Sequence, residues 1–92
     1  MNEEPKKAAA LKYRHGEDQA PKLVAKGRGE LAERILETAR RHGIPIKEDK
    51  ALVEILSSLE LYEDIPPQLY KAVAEILAFI YRMNMRAKGS EA

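Results

Sequence analysis

The sequence predicts an α/β fold: a small mixed sheet of about three strands, containing a parallel strand-helix-strand unit and covered by three helices. Three observations lead there. Short β-type runs at residues 8–13, 22–25 and 44–46 alternate with longer stretches of helical period. Gly16, Gly27, Gly29, Gly43, Pro45 and the Pro66-Pro67 pair punctuate those runs. The chain has 92 residues, 45% of them apolar and 34% charged, with a formal net charge of +1, which suits one domain around a single core.

Taken in order, residues 1–7 are polar and read as a flexible N-terminus, 8–83 as the domain, and 84–92 as a flexible tail. Residues 8–13 form a weak first strand, 14–20 a polar loop, and 22–25 a second strand. Across residues 30–42, Leu31, Ile35 and Ala39 share a helical face with Ala32 and Leu36, while Glu30 with Arg34 and Glu37 with Arg41 make i,i+4 pairs outside. Gly43 is placed to end that helix, with Pro45 soon after. Ile44-Pro45-Ile46 then makes a short third strand, at an edge because of its proline. The segment 22–46 is therefore a strand-helix-strand unit with a right-handed crossover and parallel strands.

Asp49 is a natural N-cap for a second helix in which Leu52, Ile55, Leu56 and Leu59 align. Ser57, Ser58 and the Tyr62-Glu63-Asp64 segment end it. A third helix starts at Pro66-Pro67, where a missing N–H costs nothing. Over residues 69–81 only Lys71 and Glu75 are charged, which marks this helix as the central packing element.

Several chemistries are excluded or disfavoured. There is no cysteine, so disulfides and thiolate metal sites are absent. His15 and His42 lack partners at ligand spacing, so no metal site is expected. Thr38, Ser57, Ser58 and Ser90 have no nucleophile context, and no enzyme activity is expected. The N-terminus lacks a signal-peptide run and the most apolar stretch falls short of the roughly 20 residues needed to cross a bilayer. A cytoplasmic location follows as the expectation.

Two patterns carry a possible ligand. Gly27, Gly29 and Ala32 spell G-x-G-x-x-A between a strand and a helix, with Glu48 and Asp49 about 20 residues on, as in a dinucleotide-binding turn. Against that, Glu30 puts a carboxylate at the positive helix end that a phosphate would need. Lys6, Lys7, Lys12, Arg14, Lys22, Lys26 and Arg28 concentrate charge in the first third. Only Tyr13 offers a stacking ring there, and Glu17 and Asp18 are interspersed, so a solvated face is a better reading than nucleic-acid binding.

Four stretches, Ala10-Leu11-Lys12-Tyr13, A-P-K-L-V-A-K-G-R-G from Ala20 to Gly29, H-G-I-P-I from His42 to Ile46, and I-P-P-Q-L-Y-K-A-V-A-E-I-L-A from Ile65 to Ala78, occur in one order. In them the chain resembles the C-terminal cytoplasmic domain of the FlhB/YscU family, export-gate proteins of flagellar and type III secretion systems. The resemblance implies a free-standing counterpart of the fragment that family members release by cleaving themselves within Asn-Pro-Thr-His. Here the corresponding places hold Glu3-Glu4-Pro5-Lys6, and Asn2 and Asn84 precede Glu and Met, so that cleavage is not expected. No membrane domain is expected either. With the family's first strand missing, a sheet edge beside residues 8–13 is expected to lie open.

The resemblance further implies a partner-binding surface at Ala20, Pro21, Ala74 and Leu77. Helical periodicity alone would instead put Ala74 and Leu77 in the core, whereas Ala20 and Pro21 follow a polar loop and are expected to be exposed. The partners implied are export-gate components and export substrates, all protein, with any membrane contact made through them and no nucleic acid or cofactor. The reading kept beside it is a small nucleotide- or anion-binding domain using the Gly27-Gly29 turn. Oligomeric state is open.

Overall fold

The computed structural model describes residues 5–90 of the chain, with side chains through Met83. Met1 to Glu4, which include Asn2 and the Glu3-Glu4 pair at the cleavage position, lie outside the described residues, as do Glu91 and Ala92; the Asn84 side chain does too. The elements are β1 (Lys7–Lys12), β2 (Lys22–Arg28), α1 (Glu30–Arg41), α2 (Lys50–Leu56), a short 3-10 turn (Pro67–Leu69) and α3 (Tyr70–Ser90). β1 and β2 are antiparallel and form a two-stranded sheet. Helix α3 thus continues through residues assigned to the tail, and β1 takes in Lys7.

The third strand and the parallel unit are corrections to the expected sheet. Helix α1 stops at Gly43, φ 68°, in a Schellman arrangement in which the Gly43 N–H donates to the Arg40 carbonyl at 3.2 Å and the Ile44 N–H to the Ala39 carbonyl at 2.8 Å. Ile44 has therefore spent its donor, and Pro45 has none. The segment runs as an irregular connection, with Lys47 Nζ 5.1 Å from the centre of the Phe79 ring.

Register organises the rest. Ala8 faces Gly27 and Ala10 faces Ala25, but Leu11 faces Leu23, so Val24 is an extra residue on β2. One face of the sheet presents these small residues to α1, whose Ala32 is fully buried. A Cβ on Gly27 would stand 2.5 Å from Leu31 Cγ, so glycine there permits the helix to approach. The opposite face meets α2 and α3, where Leu23, Leu52, Leu56, Ile65 and Val73 form the core, joined by Ala9, Leu11, Leu69, Ile76 and Leu77 at its margin. Lys26 crosses to this face and its Nζ donates to the carbonyls of Ser57 and Leu59 at 3.2 and 2.7 Å, satisfying acceptors that the end of α2 leaves over. The start of α2 is capped as the sequence implied, with the Leu52 N–H donating to Asp49 Oδ1 at 3.0 Å.

Candidate functional site

A shallow apolar hollow of about 180 Å³ lies between the β1–β2 loop and the first turns of α3. Its floor is set by backbone. The Ile65 N–H donates to the Pro21 carbonyl at 2.9 Å and the Tyr62 N–H to the Leu23 carbonyl at 2.7 Å, so residues 62–65 run along the end of β2 and fix Pro21. Tyr62 reaches this position at φ 69°, a left-handed conformation that bulky side chains rarely adopt. The chain then turns through Pro66 and Pro67 into α3, laying Tyr70, Val73, Ala74 and Leu77 along one stripe at i, i+3, i+4 and i+7 over Pro21.

The third wall comes from the loop, through Tyr13 and Gln19. Its shape is held by a clasp: Arg14 N–H donates to Asp18 Oδ2 at 2.8 Å, Arg14 Nη2 to Asp18 Oδ1 at 3.1 Å, and the Glu17 and Asp18 N–H groups return to the Arg14 carbonyl at 3.0 and 2.9 Å. The side-chain and backbone hydrogen bonds from Arg14 hold the Asp18 carboxyl below its ordinary range. The His15 ring stands edge-on to Tyr13, 6.3 Å between centres. Among the described residues, no Asp, Glu, Lys or Arg lines the hollow. Its volume is below the roughly 300–1,000 Å³ of small-molecule pockets, and its chemistry suits a single apolar side chain with polar atoms at the rim.

Of the residues nominated for partner binding, Pro21, Ala74 and Leu77 converge on this hollow. Ala74 is exposed and Leu77 half-buried, so α3 spends its stripe partly on the core and partly on the surface. Ala20 does not line it and is only 4% exposed, and Pro21 is buried as well; the exposure expected of this pair does not hold, and the Pro21 carbonyl is taken by the Ile65 N–H. Sequence reasoning missed Tyr70, Gln19 and the wall role of Tyr13. Tyr70 carried a usable signal, since it begins the stripe that Ala74 and Leu77 continue.

The Gly27-Gly29 turn has a different use. Gly29, φ 64°, donates its N–H to the Lys6 carbonyl at 2.8 Å, and Gly27 lies in the ladder opposite Ala8. The glycine N–H groups a phosphate would need are committed to the sheet, and Glu30 and Glu33 occupy the first turn of α1. Asp49 is a helix cap. Among the described residues no cluster of His, Asp and Glu could hold a metal ion, and no helix is long and apolar enough to cross a membrane.

Comparison with known proteins agrees with this architecture. YlqH of Bacillus subtilis (strain 168), described as an uncharacterized protein, is 41% identical over 86 residues, covering 94% of this chain and 92% of that protein. Flagellar biosynthetic protein FlhB of Aquifex aeolicus (strain VF5) is 43% identical over 74 residues, 79% of this chain, which spans only 21% of that longer relative. The crystal structure of the PscU C-terminal domain superposes with a TM-score of 0.77 at 31% identity, covering 80% of this chain and 95% of that one. The family model described as FlhB HrpN YscU SpaS matches residues 5–80, from before β1 through the hollow-forming stripe of α3, and the chain belongs to that family.

Proposed function

We propose that this protein is a non-enzymatic, cytoplasmic interaction module of flagellar or type III protein export, a counterpart of the C-terminal fragment of the export gate, and that it binds export components or substrates through the hollow. The observation that carries this is convergence: Pro21 from β2's approach and Ala74 and Leu77 from α3 meet in one apolar concavity, although nothing local in the sequence links them. Membership of the FlhB family supports the export setting. The hollow's size and uncharged lining favour an apolar side chain of a polypeptide over a nucleotide. Membrane contact, on this reading, is made only through partners.

The test uses Ala74→Glu, because Ala74 is exposed while Pro21 is part of the packed floor. Calorimetric titration against a purified export-gate cytoplasmic domain and against purified export substrates should lose at least tenfold in affinity, with circular dichroism unchanged. Equal affinity for the folded variant rejects the hollow as the binding surface.

A further inference from the structure

We propose that Gln19 selects what enters the hollow, by hydrogen-bonding the backbone of an extended, uncharged peptide segment that seats one apolar side chain against Pro21, Ala74 and Leu77. This rests on the reading of the hollow as a partner surface. A segment lying there brings its own backbone N–H and C=O groups against the walls, and each group that leaves water without a partner weakens binding. The floor offers none. Pro21 has no N–H, and its carbonyl already accepts from the Ile65 N–H at 2.9 Å. Val73, Ala74 and Leu77 lie within α3, where N–H and C=O groups bond along the helix. The polar ends left in the walls belong to Tyr13, Gln19 and Tyr70, and none of these side chains is hydrogen-bonded among the described residues.

Gln19 differs from the two tyrosines in what it can match. An extended residue turns its N–H and C=O to the same side. A carboxamide presents an acceptor oxygen beside a donor NH2, so it can take both, and it can turn over to meet either chain direction; a phenol has one oxygen for both roles. The backbone of Gln19 is pinned on each side. Asp18 before it receives the Arg14 N–H and Nη2 on its two carboxylate oxygens, and Ala20 after it is buried, so the side chain is presented without reordering of the loop. Gln19 itself is exposed and open to a ligand. The neutral lining sets the rest of the specificity. A charged side chain entering the hollow would leave water and meet no counter-charge among the described lining residues, whereas an apolar one gains burial.

The test is an NMR titration of the isotope-labelled full chain with synthetic nine-residue Ser/Thr peptides: one with a central Leu, the same peptide N-methylated at that Leu, and one with Lys in place of Leu. The Leu peptide should shift Ala74, Leu77 and the Gln19 side-chain amide together, and the Lys peptide should shift none of them. N-methylation should weaken binding about fivefold, the scale of a neutral hydrogen bond, and Gln19→Leu should weaken the unmethylated peptide by a similar factor. In Gln19→Leu the methylated and unmethylated peptides should bind equally, because the acceptor for that N–H is gone. Gln19→Glu keeps an acceptor and should restore the methylation penalty. A merely structural role for Gln19 would leave that penalty in place in every variant. Equal affinity of parent and Gln19→Leu, a methylation penalty undiminished in Gln19→Leu, or a Leu peptide that shifts none of these resonances would each overturn the proposal. The two readings fail separately. Binding lost in Ala74→Glu but unchanged in Gln19→Leu rejects the role of Gln19 and keeps the hollow, while shifts that survive Ala74→Glu reject the hollow itself.

Discussion

The two faces of the sheet solve the same problem by opposite means. Toward α1 the sheet offers Ala8, Ala10, Ala25 and Gly27, and α1 answers with Ala32; the larger Leu31 stays 52% exposed. Toward α2 and α3 it offers Leu23 and Leu11, answered by Leu52, Leu56, Ile65 and Val73. The first face is stabilised by closeness of backbones and the second by apolar volume. A face built from small residues cannot accept an added atom, while one built from large residues cannot lose one.

The largest expected effect is on the second face. Leu23 is completely buried, so Leu23→Ala should cost about 3–5 kcal/mol, cavity term included, read from urea unfolding as a lower midpoint at similar slope. On the first face, Gly27→Ala introduces a Cβ 2.5 Å from Leu31 Cγ and should cost about 1–3 kcal/mol by overpacking. That loss should be recovered in part in Gly27→Ala with Leu31→Ala, which removes the Cγ and Cδ2 contacts but leaves Leu31 Cβ 2.9 Å from the added atom. A single-variant cost wholly undiminished in the double variant would mean that the Leu31 side chain beyond Cβ is not what needs glycine there.

Asp18→Asn touches neither face and should have the smallest effect. The Asp18 carboxyl is held below its ordinary value by Arg14, so its contribution is present above the unfolded carboxyl pKa of about 3.9 and is lost as pH falls through the lower folded value. Thermal unfolding at neutral pH should therefore place the variant slightly below the parent, and the two should converge as the solution is acidified well below the unfolded carboxyl value of about 3.9. A gap that stays constant with pH would assign the loss to the loop's shape and not to the charge.

Much of the fold was legible because its signals are local. Asp49 caps α2, Gly43 ends α1, the prolines introduce α3, and Glu37 pairs with Arg41 at 2.9 Å. Ile44-Pro45-Ile46 misled because β-branched residues beside a proline look like an edge strand, while the reason they are not one lies in the preceding helix end, which takes the Ile44 N–H. The antiparallel sense of the sheet was hidden by the parallel unit that this third strand seemed to complete. At the hollow, Pro21, Ala74 and Leu77 came from the family resemblance. Tyr13 and Gln19 join them through the loop that the Arg14–Asp18 bonds hold, and Tyr70 through the backbone bonds from Tyr62 and Ile65 to the start of β2. No pattern within a few residues announces a pairing of that span.

That pairing also has a kinetic side. A two-stranded sheet is marginal alone, and β1, β2 and α1 follow one another closely in sequence, so their contacts close short loops and can form early. Laying residues 62–65 against Pro21 and Leu23 closes a much longer loop and holds Tyr62 in a left-handed conformation costing on the order of 1–3 kcal/mol. This seam should be the last part of the molecule to zip and the first to open in the native state. Because Pro21 is its anchor, the hollow would breathe with the seam while the α1 side of the sheet stays shut.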